Sequence, residues 1–302
     1  MKPTFTLSLL TCAATCLLSA EANAQSFKAK YRYTSLGASL NATNYFGDIV
    51  PEANVSSMRL GASRAGLGLS ATRRLSSRIS VRAGLTYGRV VGSDNQASST
   101  DPNESYRHHR NFTFRNDLLE LSAVGILDLI PNHYAFMQRP NFVPYLFGGV
   151  AVFHHNPKGL VEGGTIPASL EEGSYVALQP LRTEGQQQPY NRTQFALPFG
   201  AGLRYRINKQ LDANLELGWR KTFTDYLDDV SGNYTSVTNL KSDAARYFGH
   251  DVTRLDNDPN RFPNFNAPGS ARGNRDHQDW YIITGITLNY ILPTNVEGSK
   301  FR

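Results

Sequence analysis

The sequence predicts an all-β fold: an eight-stranded antiparallel transmembrane β-barrel with long external loops. Three observations carry that expectation. Apolar residues recur at every second position over stretches of about ten residues, with small or polar residues between them. The connections between these stretches alternate short and long, as periplasmic turns and external loops do. Aromatic residues gather near the stretch ends, where interfacial girdles would sit: Tyr31, Tyr33, Tyr45, Phe46, Tyr87, Phe112, Phe114, Phe153, Tyr205, Trp219 and Tyr290. A soluble β-sandwich also alternates and is the competing architecture. The loop asymmetry and the aromatic placement favour the barrel.

The 302 residues divide into a signal peptide, 1–24, and one outer-membrane barrel domain, 25–302. Lys2 precedes an apolar run over 7–18, and Ala22-Asn23-Ala24 is a small-x-small cleavage site. The run is shorter than the roughly 20 residues a spanning helix needs. Both cysteines, Cys12 and Cys16, lie inside it, and the Thr before each makes lipidation a poor reading. The mature chain is then free of cysteine, and its fold has no disulfide available. Charged residues at 19% and a mean hydropathy of −0.39 argue against both a disordered chain and a helical membrane protein.

Strands are expected near 31–45, 58–72 and 112–129. Between them, Ile79, Val81, Ala83, Leu85 and Tyr87 alternate with Ser80, Arg82, Gly84, Thr86 and Gly88. Val143, Tyr145, Phe147, Gly149, Ala151 and Phe153 form another apolar face. Further along, Phe195, Leu197, Phe199, Ala201, Leu203 and Tyr205 form one face, and Ala213, Leu215, Leu217 and Trp219 the next. The last strand carries Trp280, Ile282, Ile286, Leu288 and Tyr290, and its Gly285–Tyr290 stretch resembles the terminal signal of outer-membrane barrels. Tight connections fall at 75–78 and 208–210; long ones fall at 46–57, 92–111, 155–190 and 225–279.

Eight strands enclose a space just filled by side chains. The inward face includes Arg82, Glu120, Glu216 and Arg220, which must pair because an unpaired buried charge is costly. A packed polar plug is expected rather than an ion path, and a general diffusion pore is disfavoured.

The net charge of +6 is unevenly spread. The four external loops hold 10 basic and 18 acidic residues, and the rest of the mature chain holds 20 basic and 6 acidic. Lys28, Lys30, Arg32, Arg73, Arg74, Arg78, Arg206, Lys209, Lys300 and Arg302 gather at the expected periplasmic end. They suit an acidic periplasmic partner or anionic lipid, or are simply solvated strand-end charges. Outer-membrane lipids are expected partners; nucleic acid and small-molecule substrates are not.

No catalytic, cofactor-binding or metal-binding residues are assigned. His108-His109 and His154-His155 are adjacent pairs whose rings point to opposite sides of an extended chain. Asp225, Asp228 and Asp229 offer oxygen ligands to calcium, but their spacing is not that of an EF-hand loop, and a loop-ordering role is preferred. Asp228, Asp229 and His250 would serve an outer-membrane hydrolase only if the fold brought them together.

Several segments in order carry a family resemblance. They are Asn44-Tyr45-Phe46-Gly47-Asp48, Arg110-Asn111-Phe112-Thr113-Phe114-Arg115, the stretch 144–157, Thr183-Glu184-Gly185-Gln186, and Asp225-Tyr226-Leu227-Asp228-Asp229-Val230-Ser231. Together they resemble the PorG-like outer-membrane β-barrels of the type IX secretion system. The resemblance implies a non-enzymatic barrel that anchors the periplasmic ring of PorK-like and PorN-like proteins to the cell outer membrane. It further implies a part in exporting cargo with C-terminal sorting domains and, in some bacteria, in gliding motility. The alternative is a stand-alone barrel for surface binding or envelope integrity.

Overall fold

The computed structural model describes residues 32–49, 62–94, 110–134, 136–250 and 266–293. The signal peptide, Tyr31, Lys28, Lys30, Lys300, Arg302 and the His108-His109 pair lie outside the described residues. Eight long strands form the wall: β1 (Thr34–Phe46), β2 (Arg64–Arg74), β3 (Ile79–Ser93), β4 (Thr113–Asp128), β5 (Phe142–Leu160), β7 (Thr193–Arg206), β8 (Leu211–Thr222) and β9 (Trp280–Ile291). A short strand, β6 (Tyr175–Ala177), pairs only with the end of β5 and lies outside the ring. Among the described residues one α-helix, α1 (Asp243–His250), sits in the last long loop.

Every neighbouring pair is antiparallel, and the sheet closes where β1 meets β9, from Ser35↔Ile291 to Phe46↔Trp280. Closure leaves no free edge, which a strand structure in lipid requires. The described chain termini and the turns at 75–78, 129–141 and 207–210 lie at one end, and the described parts of the four long loops at the other. Residues 64–74 pair with β1 and β3, so the second strand starts later than the expected 58.

The wall is inside out relative to a soluble protein. Leu40 is 70% exposed, Leu69 65%, Phe195 65% and Val150 60%, while Asn116, Glu120 and Thr222 on the inner face are buried. A continuous apolar belt of this size marks a membrane surface. On β5 the lipid-facing set runs from Phe142 to Val152. Those residues span about 26 Å along the barrel axis at ~3.4 Å per residue and a tilt of about 40°. That height matches a lipid-facing band.

Two sequence expectations are corrected. The apolar set Val143, Tyr145, Phe147, Ala151 and Phe153 faces inward and is buried, while Phe142, Leu146, Val150 and Val152 face lipid. Both faces of β5 are apolar, so alternation could not choose between them. Register with β4 and β7 decides. Likewise Tyr33, Tyr45, Phe46, Phe112, Phe114 and Phe153 are buried and belong to no girdle, whereas Tyr87, Tyr205 and Tyr290 are exposed on the wall. Two inward glycines let the wall close tightly. A Cβ at Gly149 would stand 2.1 Å from the Ala123 carbonyl oxygen, and one at Gly200 would stand 2.2 Å from that of Leu217.

Candidate functional site

Charged side chains fill the lumen in tiers. At the turn end, Arg139 enters from the 129–141 connection, and its Nε donates to Asp212 at 3.1 Å. The same guanidinium donates to the carbonyls of Lys209 and Asn208. Above it, Arg74 and Arg204 converge on Asp128 Oδ2 at 2.6 and 2.8 Å. Next, the Arg82 fork engages both oxygens of Glu216, and the Tyr145 hydroxyl donates to the same carboxylate. Highest, Glu120 accepts from Tyr281 OH at 2.6 Å and from Arg220 Nε at 3.4 Å.

The sequence required these four charges to pair, and the structure pairs Arg82 with Glu216 and Arg220 with Glu120. Each joins strands that are not neighbours, β3 to β8 and β8 to β4, so the bridges cross the lumen. Val124, Ile126, Tyr145 and Phe147 pack beside them. The tiers form a filled plug. Arg74, expected at a partner surface, is instead buried in it with 2% side-chain exposure.

A second packed body closes the loop end. Tyr45, Phe46 and Ile49 from the first loop side, Phe112 and Phe114 before and in β4, and Leu227 and Val230 of the last loop share one apolar cluster with Tyr247 and Phe248 of α1. Phe112 meets Phe248 edge-on at 6.4 Å, and Tyr45 meets Phe114 at 5.0 Å. Polar contacts thread this cap. Arg110 forks onto Asp94 at 2.6 and 2.8 Å and donates to the Arg272 carbonyl at 2.6 Å. Arg272 donates to Glu184 at 3.0 Å and to the Asp229 carbonyl at 2.6 Å. Glu184 also accepts from the amides of Ser231 and Gly232. Asn116 donates to the Leu227 carbonyl at 2.7 Å and accepts from the Asn156 amide at 2.7 Å.

Asp228 and Asp229 are committed within this network, whereas both carboxylate oxygens of Asp225 are buried without a hydrogen-bond partner. Asp228 accepts from Tyr45 OH at 2.6 Å and from the Val230 amide. Asp229 accepts from Thr183 and from Tyr190 OH. His250 takes Asn266, and within the histidine pair of β5, His155 is buried while His154 is exposed. Residues from all five segments that carried the family resemblance therefore meet in one cap, the stretch 144–157 contributing its loop end, Ala151, Phe153 and Asn156, while its Tyr145 and Phe147 stand in the lumen. Sequence reasoning missed Arg272, Asp94 and Asp279, which lack any local signal, because their partners lie far away along the chain.

Burial lifts several carboxyls here. Asp228 and Asp279 are pushed well above the usual range by burial and then chiefly by neighbouring aspartates, and Asp225 rises to about 8. Asp229 rises only to about 6, because Arg272 opposes its burial. The Tyr45 hydroxyl lies 2.6 Å from Asp228 and 3.0 Å from Asp279. A hydroxyl has one proton to give, and here two carboxyls that burial disfavours as anions compete for it.

The turn end offers a different surface. Arg32, Arg78 and Lys209 are exposed there, with Leu129, Ile130, Tyr134, Met137 and Ile207 exposed between them. Arg206 donates to the Met137 carbonyl, and Arg73 donates to Thr34.

Among solved structures, the chain is similar to Neisserial surface protein A, NspA, with 9% identity, a TM-score of 0.39, and coverage of 85% of this chain and 96% of that one. It is similar to the attachment invasion locus protein Ail of Yersinia pestis in complex with sucrose octasulfate, with 9% identity, a TM-score of 0.38, and coverage of 86% and 99%. It is also similar to OprG of Pseudomonas aeruginosa, with 10% identity, a TM-score of 0.37, and coverage of 90% and 100%. No curated protein matches the sequence. A family model described as a domain of unknown function, DUF6089, matches residues 15–250.

Proposed function

The chain belongs to the DUF6089 family, and from its barrel, plug and cap we propose a non-enzymatic anchor in the outer membrane for the periplasmic ring of a type IX protein secretion machine. The observation that carries this reading is the convergence of the PorG-like segments in one interlocked cap. Residues from 44–48, 110–115, 144–157, 183–186 and 225–231 hold one another there.

The filled lumen supports a role played on surfaces rather than by conduction. At the turn end, exposed Arg78 and Lys209 stand among exposed apolar side chains, a composition suited to an acidic protein partner of the PorK or PorN kind. The cleaved signal peptide belongs to the same proposal, since it delivers the chain across the inner membrane.

The test is a clean deletion with complementation. The reading expects loss of export of cargo with C-terminal sorting domains, and co-purification of the ring proteins with the wild-type barrel. Arg78→Glu with Lys209→Glu is expected to reduce ring recovery about tenfold or more while the barrel still assembles. Normal export and unchanged ring recovery would overturn it in favour of a stand-alone barrel.

A further inference from the structure

Along the lipid-facing wall the apolar residues stop abruptly towards the loop end, and cations follow. On β3, Tyr87 gives way to Arg89; on β4, Leu119 gives way to Asp117 and Arg115; on β5, Val152 gives way to His154, Asn156 and Lys158. Arg192 stands just before β7, and its Nη1 donates to Asn156 Oδ1 at 3.3 Å. These residues lie just beyond the apolar band, at the height where headgroups begin.

The arrangement is unusual for a wall that has only itself to satisfy. Arg115 and Lys158 are direct partners in the β4–β5 register, and like charges opposite one another destabilise a pair of strands. Asp117 is held by Arg89 at 2.6 Å and by Tyr87 OH at 3.0 Å. Among the described residues no carboxylate lies within salt-bridge distance of Arg115, Lys158 or Arg192. The Arg115 guanidinium lies 3.8 Å from the centre of the Tyr175 ring, and its Nε is buried with no hydrogen-bond partner. The loops above carry an excess of acid, so the cations are not part of a generally basic end. On the opposite wall, Lys221 instead sits over the Trp280 ring, and the outward positions of β1 and β9 carry no cation.

We propose that Arg115, Lys158 and Arg192, with Arg89 beside them, bind the headgroup phosphates of a polyphosphorylated glycolipid in the leaflet at the loop end. From β4 to β7 the cluster crosses two strand spacings, about 10 Å, and Arg192, opposite His155, stands three residues from Lys158, about another 10 Å along the strand. That width suits a headgroup bearing two phosphates better than a lipid with one. The guanidiniums supply forked donors to phosphate oxygens, and Lys158 supplies a point charge between them. An anion there removes the Arg115–Lys158 repulsion.

The experiment is native mass spectrometry of the full mature protein, released from detergent and titrated with diphosphoryl lipid A. Dephosphorylated lipid A and phosphatidylglycerol serve as comparison probes. Wild type is expected to prefer the diphosphoryl form over both. The triple variant Arg115→Gln, Lys158→Gln, Arg192→Gln is expected to lose roughly a hundredfold in affinity, from about fivefold per cation. Lys241→Gln, an exposed loop cation away from the cluster, is expected to leave affinity unchanged. Heat-modifiable gel migration confirms that each variant is folded. Retained affinity in the folded triple variant, or equal binding of either comparison lipid by wild type, would overturn the proposal. The outcome does not depend on ring association, which is read separately.

Discussion

Replacing Arg272 with Met tests whether the cap is held by charge rather than by apolar packing alone. Arg272 is 1% exposed, and its partners Glu184 and Asp229 are 2% and 0% exposed. Met keeps the length and apolar stem but removes every donor. Breaking a buried ion pair from one side costs about 3–5 kcal/mol, because the remaining charge is left buried. Glu184 retains the amides of Ser231 and Gly232, which favours the lower end, about 3 kcal/mol. At about 1.4 kcal/mol per tenfold change, the cap would open roughly a hundredfold more often.

The cost stays local, because the lumen tiers share no side chain with Arg272. Hydrogen exchange reads this directly. The amides of Tyr234, Arg272 and Gly273, bonded to the carbonyls of Ser270 and Gly232, should exchange about a hundredfold faster. Amides of β9 should keep their protection. Adding Glu184→Gln should recover part of the loss by removing the stranded charge. Unchanged exchange in the cap, or equal loss throughout the barrel, would refute the reasoning.

The remaining predictions concern pH, wall closure, lipid and the lumen. The buried acids Asp225 and Asp228 hold protons in the folded cap that they release when unfolded, where an aspartate titrates near about 3.9. Cap stability therefore falls as pH rises from that value, and the part contributed by Asp225 is lost as pH passes through about 8. Loop exchange measured against pH should show this slope, and Asp225→Asn should reduce it; a slope of opposite sign would contradict the assignment. Gly149→Val drives a side chain into the Ala123 carbonyl and should abolish the heat-modifiable folded band. Val150→Arg, on the lipid face opposite Ala123, should cost about 2–4 kcal/mol in a lipid-vesicle unfolding titration. Arg82→Met should cost about 3–5 kcal/mol in the same titration, by leaving Glu216 in the lumen without its fork.

Local pattern made much of the wall legible. Leu36, Leu40, Leu67, Leu69, Leu215, Ile286 and Leu288 face lipid because side chains of a strand alternate, and alternation is visible without knowing any partner strand. The pairing of Arg82, Glu120, Glu216 and Arg220 was legible for a related reason: charges inside a narrow ring have only one another. Alternation failed on β5, where Phe142 and Leu146 compete with Val143 and Phe147 for the lipid face. It also failed for Tyr45, Phe112 and Phe114, since aromatic residues near a strand end suit a girdle or a cap equally well.

By itself, then, the sequence determined a chain of eight alternating strands with short turns at one end and long loops at the other. Those are properties of neighbouring residues, and nearest-neighbour chemistry is enough to set them. Closure alone decided the rest. It brought Asp128 to Arg74 and Arg204, Asp212 to Arg139, and Arg272 to Glu184 and Asp229. These partners are separated by tens of residues, and only the register of a closed sheet sets the distance between them. The same closure set Arg115 beside Lys158 on the outer wall, where the charges repel each other until something negative joins them.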